Sequence, residues 1–157
     1  MEYSKGQLIS LVLLRLAIGW HFFYEGMVKV LNPAWTAKAY LLDSGGFAKP
    51  FFDWIAFNPS LLAISDFVNA WALTLVGFFL LLGWWVRPAA IAGMLLLGMY
   101  YLSHPPFPGI EYLFPIDGNY FIIDKTMVEL LALGVLLSFP TSHIIGLERL
   151  FKKSKPS

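Results

Sequence analysis

The sequence predicts an all-α integral membrane protein, a four-helix bundle with an aromatic-rich loop region on its outer side. Three observations predict this class. Of the 157 residues, 58% are hydrophobic and only 13% are charged, whereas soluble domains are usually about 25% charged. The mean hydropathy is +0.67. Several apolar runs approach the roughly 20 residues that a helix needs to cross a bilayer. The length corresponds to a single domain, residues 1–157.

The first helix is expected at about residues 8–31, the most continuous apolar stretch of the chain. Asn32 and Pro33 end it, because proline cannot continue a helix. The stretch is too long for the core of a signal peptide, and no small-residue cleavage pattern follows it. We therefore expect it to be a retained transmembrane span.

Glycine and proline delimit the other three helices. Gly83 ends the second helix, and Pro88 begins the third. Pro105 stops the third helix, and Pro140 stops the fourth. The fourth helix follows the turn sequence Asp117-Gly118-Asn119. The expected bounds are about 67–84, 88–102 and 120–139.

Four spans place both termini on the same side of the membrane. The basic residues of the termini and of the turn before the third helix then share that side, which the positive-inside rule assigns to the cytoplasm. These residues are Lys5, Arg87, Arg149, Lys152, Lys153 and Lys155. The expected location is a bacterial inner membrane, with the lipid bilayer as the first partner.

The two long loops, residues 32–66 and 103–119, then lie on the outer side. The first is rich in Trp, Phe and Tyr, and a soluble loop would not expose so much apolar surface. We expect it to lie at the membrane interface or to cap the bundle, with residues 51–57 as a short interfacial helix. Tyr100 and Tyr101, at the end of the third helix, are interpreted as part of an interfacial aromatic belt.

The first helix carries a stripe of ionisable residues. Arg15, His21, Glu25 and Lys29 fall within an arc of roughly 120° at about 100° per residue. Ionisable groups inside a bilayer are costly, and their default interpretation is functional. Contact of these ionisable groups with lipid is unfavourable, so the stripe must face other helices or a water-filled cavity.

Several glycines are assigned to close contacts between helices. Gly19 and Gly26 flank the polar stripe and would let another helix approach closely. Gly77, Gly93 and Gly98 are assigned the same role, as is Gly83.

Matched depth predicts which charged residues meet. With a rise of about 1.5 Å per residue from the outer end, Glu25 and Lys125 both lie about 8–9 Å deep, and His21 and Glu129 both lie about 14–15 Å deep. We therefore expect the first and fourth helices to contact each other through these two pairs.

The two pairs of residues at matching depths predict one polar cluster in the outer half of the bundle. Asn69, near the start of the second helix, is expected at the level of Lys29, and Arg15 is expected deeper, nearer the cytoplasm. A histidine beside carboxylates can relay protons, because histidine titrates near neutral pH. The candidate catalytic residues are His21, Glu25 and Glu129. The candidate ligand-binding residues are Arg15, Lys29, Asn69 and Lys125.

Two interpretations of this cluster stay open. Small membrane bundles use buried ion pairs and hydrogen bonds to fix the packing of their helices. The alternative is a ligand site, because four ionisable residues on one helix exceed what packing needs. The three basic residues of the cluster also outnumber its two glutamates, and a positive excess suits an anionic or carbonyl-bearing ligand.

The sequence also argues against several cofactors and partners. The chain has no cysteine, which excludes disulfides, thiolate-held iron–sulfur clusters and covalently attached haem. His21, His104 and His143 are expected at three different depths, so they cannot share a haem. No ligand spacing typical of zinc is present, and no flavin site is evident. His104 is interpreted as loop structure. A net charge of +1 gives no sign of nucleic-acid binding.

Several segments resemble the DoxX/DoxD family of four-helix membrane proteins. Residues 14–19 (LRLAIG) followed by 25–29 (EGMVK) resemble the first-helix signature of that family. Residues 77–83 (GFFLLLG) and then 87–90 (RPAA) resemble the end of its second helix and the following turn. Residues 118–129 resemble the start of its last helix. The resemblance covers nearly all of the chain.

The resemblance implies a membrane subunit that handles quinone. Named members of the family include the large, quinone-reacting subunit of a thiosulfate:quinone oxidoreductase, and distant relatives include a eukaryotic cargo receptor. One position departs from the family pattern, because many members carry a glutamate early in the second helix where this chain has Leu73. Asn69 is the polar residue nearest to that position.

Two functions from different classes follow. In the first, the chain is the membrane subunit of a quinone-linked oxidoreductase, with quinone as its cofactor and electrons supplied by a substrate or by a partner subunit in the membrane or periplasm. In the second, it is a non-catalytic accessory or scaffold protein that docks a partner through its outer loops. Self-association into a homo-oligomer is compatible with both. A small transporter is less favoured, because the sequence shows no pair of broken helices.

Overall fold

The computed structural model describes residues 3–114 and 120–152. These residues form helices and connecting turns, with no strand among them. The expected turn Asp117-Gly118-Asn119 lies outside the described residues, as do Lys153 and Lys155. The helices are α1 (Lys5–Val30), α2 (Lys38–Leu42), a 3-10 turn (Gly46–Ala48), α3 (Lys49–Phe57), α4 (Pro59–Leu82), α5 (Val86–Ser103), α6 (Lys125–Ser138) and α7 (Glu148–Lys152).

Within the described chain, α1, α4 and α5 are the three helices long and apolar enough to cross a membrane. α6 has 14 residues and a length of about 21 Å at 1.5 Å per residue, which is less than the roughly 30 Å of the hydrocarbon core. It packs against α5 and α1 as the fourth member of the bundle. The protein is therefore an all-α membrane protein, but three of the four expected helices reach spanning length rather than all of them.

α4 begins at Pro59, whereas the apolar run predicted a start near residue 67. The side chain of Asn58 accepts hydrogen bonds from the backbone N–H groups of Ser60 and Leu61 at 3.1 and 3.2 Å. Pro59 occupies the first helical position, where proline is favoured because its missing N–H is not needed. Ser60, Ser65 and Asp66 interrupt the apolar residues of the first two turns of α4, so hydropathy alone places the start of this helix too late.

α6 begins at Lys125, whereas its expected start was residue 120. Asp124 caps the helix, because its carboxylate accepts a hydrogen bond from the backbone N–H of Met127 at 2.8 Å. Phe121 lies in the turn before this cap with a φ of 66°. The cap, rather than the apolar pattern, decides where this helix begins.

The four long helices surround one core. α1 and α4 make the most extensive contact, α5 joins α4 to α6, and α6 returns to α1. Ile18 and Phe22 of α1 meet Leu73 and Leu80 of α4 and Leu133 of α6 in this core. The order around the bundle is therefore α1, α4, α5, α6.

The first loop folds into a helical segment with a small core of its own. Leu41 of α2 packs against Phe52 of α3 in this core. The residues expected to form a short helix, 51–57, are part of α3. Phe47 and Phe57 point away from the core and are 80% and 72% exposed. The end of the bundle that carries residues 31–58, 104–114 and 120–124 is termed the loop end, and the opposite end is the termini end.

At the termini end, the chain after α6 returns to cap α4. The backbone N–H groups of Leu147 and Glu148 donate to the carbonyl oxygens of Leu82 and Gly83 at 3.0 and 3.2 Å. A helix leaves its last carbonyls unpaired, and these bonds satisfy two of them at the end of α4. Residues 139–148 are therefore part of the packed bundle and not a loose tail.

Candidate functional site

A cavity of about 640 Å³ lies at the loop end, where α2 meets the four helices of the bundle. Small-molecule sites usually have volumes of about 300–1,000 Å³. Part of the lining is apolar and comes from Phe22, Leu73 and Leu97. The polar lining contains every candidate site residue except Arg15, namely His21, Glu25, Lys29, Asn69, Lys125 and Glu129.

His21 and Glu129 form the contact between α1 and α6. The His21 Nδ1 atom lies 2.8 Å from the Glu129 Oε1 atom. The His21 side chain is 60% exposed, whereas that of Glu129 is 17% exposed. The contact predicted from matched depth is confirmed. It gives the cavity wall a hydrogen-bonded imidazole–carboxylate pair that can exchange a proton.

Glu25 forms an ion pair with Lys29 on its own helix. The Lys29 Nζ atom lies 3.2 Å from the Glu25 Oε2 atom and 5.6 Å from the centre of the Trp35 ring. This spacing of four residues brings side chains together on a helix, but the pair was not among the predicted contacts. Lys125, the predicted partner of Glu25, lines the same cavity.

Asn69 lines the cavity and has an unsatisfied, buried acceptor atom. Its Nδ2 atom donates to the hydroxyl oxygen of Tyr100 at 2.7 Å. Its Oδ1 atom is buried, and no donor among the described residues reaches it. A buried carbonyl without a partner is unfavourable, so a ligand that donates a hydrogen bond here would be stabilised. Asn69 was expected at the level of Lys29, and both residues line the cavity; the hydrogen bond of its amide to Tyr100 was not predicted.

Sequence reasoning missed Tyr40 and Tyr100, which both line the cavity. Tyr100 was assigned to an interfacial belt together with Tyr101. However, the buried residues of α5 include Val86, Ala90, Gly93 and Leu97, and Tyr100 continues this stripe at helical spacing. That periodicity was the available signal. Tyr40 lies in α2, where no regular pattern distinguishes it from the other loop aromatics.

Arg15 does not line the cavity, which corrects the prediction that it binds ligand there. It is 2% exposed and lies toward the termini end. Its Nη1 atom donates to Thr141 Oγ1 at 3.0 Å and to the carbonyl oxygen of Ile145 at 2.8 Å. The guanidinium therefore binds the chain that follows α6.

Removing Arg15 from the cluster changes the charge of the site. The expected positive excess depended on three basic residues. The cavity wall carries two lysines, Lys29 and Lys125, and two glutamates, Glu25 and Glu129. The formal charges therefore balance, and the argument for an anionic ligand from excess charge is lost. Hydrogen-bonding groups on opposite walls are the remaining recognition elements.

His104 lies in a buried polar cluster beside the cavity, whereas the sequence suggested only a loop residue. Its ring stacks on Tyr40, with ring centres 4.1 Å apart, and packs against Tyr112, with ring centres 4.8 Å apart. Its Nε2 atom lies 3.6 Å from Asp43 Oδ2. Burial lowers the pKa of the His104 imidazole below its usual value, although Asp43 acts in the opposite direction.

Asp43 connects this cluster to the second loop. Its carboxylate accepts hydrogen bonds from the backbone N–H groups of Leu113 and Phe114 at 2.8 and 3.0 Å. Burial opposes ionisation of this carboxyl, but the two N–H donors and His104 outweigh it and hold its pKa below the usual value. The described part of the chain contains no group of three or more His, Asp or Glu side chains placed to hold a metal ion.

One comparison with known proteins identifies a relationship. The family model described as DoxX matches residues 10–105, which is more than half of the chain. The matched region contains α1, α4 and α5, whereas α6, with Lys125 and Glu129, lies beyond it. No match was found among curated proteins or among solved structures.

Proposed function

This chain belongs to the DoxX family of membrane proteins, and we propose that it is the membrane subunit of a quinone-linked oxidoreductase that holds the quinone headgroup in the loop-end cavity. The observation that carries the proposal is the pairing of two polar walls with an apolar lining. His21 and Glu129 line the cavity from α1 and α6, and Asn69 and Tyr100 line it from α4 and α5 on the other side of the bundle. A quinone ring has oxygens at opposite ends and apolar faces between them, which suits such a cavity.

The side chains at the cavity provide the chemistry that quinone reduction needs. A quinone takes up two protons when it is reduced, and a hydrogen-bonded histidine–carboxylate pair is a suitable acid and base for them. The exposed imidazole of His21 keeps this pair in exchange with water. Lys29 and Lys125 would offset negative charge that develops at the headgroup. The electrons would come from a reduced substrate or from a redox partner subunit.

The unsatisfied Oδ1 atom of Asn69 supports a ligand with a hydroxyl group. The reduced headgroup carries two hydroxyls and can donate to this acceptor, whereas the oxidised headgroup can only accept. We therefore expect the cavity to bind the reduced form more tightly than the oxidised form. The reduced form of an analogue should therefore raise the unfolding temperature more than its oxidised form does at the same concentration.

Ligand binding is tested by the thermal stability of the solubilised protein. We expect quinone analogues to raise the unfolding temperature, because a ligand that binds only the folded state stabilises it by about 2.7 kcal/mol at 100 times its Kd. His21→Phe and Lys29→Met should reduce this shift. Lys38→Met, which changes an exposed lysine of α2 outside the cavity, is the matched control and should leave it unchanged.

The outcome that contradicts the quinone site is equally specific. If no analogue shifts the unfolding temperature at saturating concentration, the cavity does not bind quinone. An equal shift in the wild type and in both cavity variants would place any binding elsewhere on the protein. Either result would favour the scaffold function instead.

The scaffold function rests on a different observation. Phe47, Trp54 and Phe57 form exposed aromatic surface on the segment that contains α2 and α3. Such surface suits a membrane interface or a partner protein. A stable complex held through this segment, with no quinone response, is the result that this second candidate predicts.

We also propose that both termini lie in the cytoplasm and that the loop end faces the periplasm. The chain lacks cysteine, so one introduced cysteine is a unique label. In intact cells, an impermeant maleimide should label Ala39→Cys at the loop end and should not label Lys5→Cys. Both residues are exposed at their ends of the bundle. The reverse labelling pattern would invert the proposed orientation.

A further inference from the structure

Tyr40 belongs both to the cavity wall and to the buried cluster around His104. Its side chain lines the cavity, its ring stacks on that of His104 with ring centres 4.1 Å apart, and the Ser103 side chain is among the groups that influence its hydroxyl. The Ser103 Oγ atom lies 3.0 Å from His104 Nδ1. On the far side of the ring, His104 Nε2 lies 3.6 Å from Asp43 Oδ2. Four polar side chains thus form a continuous row that starts at the cavity.

The row is buried along its length. Ser103 is 1% exposed, and the side chains of His104 and Asp43 are 8% and 5% exposed. His104 Nε2 has no hydrogen-bond partner within the described chain. Burying polar groups with incomplete hydrogen bonding is unfavourable. An apolar residue would fill the space between two tyrosine rings without that penalty, so packing alone does not account for this row.

We propose that Tyr40, Ser103, His104 and Asp43 form a proton-transfer path between the loop-end cavity and the aqueous medium at the loop end. The inference rests on the proposed quinone site, because reduction of that ligand consumes protons. Asp43 is the outer end of the row, held by backbone N–H groups of two exposed residues of the second loop, Leu113 and Phe114.

The completed transfer moves one proton from the medium to the ligand and leaves the charge of the row unchanged. Asp43 takes a proton from water and gives it to His104 Nε2, while His104 releases its Nδ1 proton to Ser103 Oγ. Ser103 passes its own hydroxyl proton to the Tyr40 oxygen, and Tyr40 releases its hydroxyl proton to a ligand oxygen in the cavity. Only N–H and O–H bonds form and break. Ser103 and His104 are joined by a direct hydrogen bond. The 3.6 Å between His104 and Asp43 exceeds a hydrogen bond, so that step, like the step from Ser103 to Tyr40, needs a closer approach of the two side chains or one water molecule.

The titratable groups around His104 suit this role. Burial keeps the His104 imidazole neutral near pH 7 through its lowered pKa, so one ring nitrogen can accept while the other donates. Asp43, Tyr40 and Tyr112 are the groups that face it from the neighbouring segments. The Tyr112 hydroxyl donates to the carbonyl oxygen of Pro105 at 2.9 Å and therefore stands outside the row.

The experiment follows the reduction of bound decylubiquinone in the full-length protein in lipid nanodiscs. Dithionite supplies the electrons, and stopped-flow absorbance records the rate at which the bound headgroup is reduced. Tyr40→Phe and Ser103→Ala each remove one hydroxyl of the row. We expect both to lower the rate at least tenfold at pH 7.5, while Tyr112→Phe, which also removes one hydroxyl beside His104, changes it less than twofold.

A second readout separates proton transfer from a structural role. In Tyr40→Phe and Ser103→Ala, a small weak acid such as acetic acid should restore the rate, because it carries protons into the cavity directly. A purely structural defect would not respond to it. Ser103 does not line the cavity, so decylubiquinone affinity, measured by thermal shift, should stay within twofold of the wild type in Ser103→Ala.

The outcomes distinguish the path from the quinone site. If the wild type binds decylubiquinone and Ser103→Ala is reduced at the wild-type rate, the path is wrong and the quinone site stands. If Tyr112→Phe slows reduction as much as Ser103→Ala, the cluster only holds the loops together and the path is wrong. If the wild type shows no binding, the proposed function fails and the path fails with it.

Discussion

Arg15→Lys should lower the free energy of unfolding by about 1.5–3 kcal/mol, the range expected for the loss of hydrogen bonds made by a charged group. The guanidinium is 2% exposed and donates to both Thr141 and the carbonyl of Ile145. Both bonds come from the single Nη1 atom. Lysine keeps the charge, but its side chain is shorter and would not place its ammonium group where Nη1 lies. The variant would therefore bury an ammonium group with incomplete hydrogen bonding. Unfolding in mixed micelles, followed by tryptophan fluorescence, measures the loss.

Arg87→Lys is the matched control for this experiment. Arg87 is exposed at the same end of the bundle, and surface substitutions usually change stability by less than about 0.5 kcal/mol. Arg15→Met should be less harmful than Arg15→Lys, because it removes the buried charge together with its contacts. Equal stability of Arg15→Lys and Arg87→Lys would show that the contacts of Arg15 contribute nothing to the fold.

The role of Arg15 follows from the shortness of α6. The helix ends at Ser138, and the chain then continues as turns that pack inside the bundle. Irregular backbone at membrane depth is tolerated only where protein groups satisfy its polar atoms. Arg15 satisfies the carbonyl of Ile145. An ionisable residue in a transmembrane helix can thus supply the hydrogen bonds that irregular backbone after another helix needs.

This arrangement could not be predicted from the sequence. The spacing of Arg15 from His21 placed both on one face of the first helix, and that part of the reasoning was sound. The partner of Arg15, however, depends on where α6 ends and on how the following residues fold back. Those residues carry no regular pattern, so the periodicity that identified the stripe gave no information about them.

The helices themselves were predictable to the extent that apolar runs define them. α1 consists of such a run, and the sequence placed it within a few residues of Lys5–Val30. α4 and α6 begin at side-chain caps, Asn58 and Asp124. A cap is a local hydrogen bond between a side chain and the backbone, and a hydropathy pattern does not reveal it. The errors in the expected bounds are therefore largest where a polar turn joins an apolar helix.

The cavity was predictable only in part, and for a related reason. His21 and Glu129 meet because helical rise fixes the depth of each side chain, and depth can be counted from the sequence. Tyr40 and His104 meet because the first loop folds back over the bundle. Contacts between loops depend on tertiary structure that no short-range pattern specifies, so the row of polar residues beside the cavity was missed.

Gly77→Ala and Gly98→Ala should change stability in opposite directions, although both add one methyl group to a helix. A Cβ atom at Gly77 would collide with the backbone of Phe23 and lie 2.6 Å from the carbonyl oxygen of Gly19. The assignment of Gly77 to a close helix contact is confirmed. Overpacking of this kind usually costs about 1–3 kcal/mol, and backbone atoms cannot move aside as a flexible side chain can. We expect a loss at the upper end of that range.

Gly98 is the control that isolates the effect of the contact. A Cβ atom at Gly98 has no neighbour within 4 Å, so its assignment to a close helix contact was wrong. Replacing a glycine inside a helix by alanine favours the helix by up to about 1 kcal/mol. Gly98→Ala should therefore stabilise the protein slightly, as measured by unfolding in mixed micelles. A loss of stability in both variants, or in neither, would contradict the close α1–α4 contact. Because Phe22 and Leu73 line the cavity from these two helices, separating them in Gly77→Ala should also weaken the stabilisation by quinone analogues, whereas Gly98→Ala should retain it.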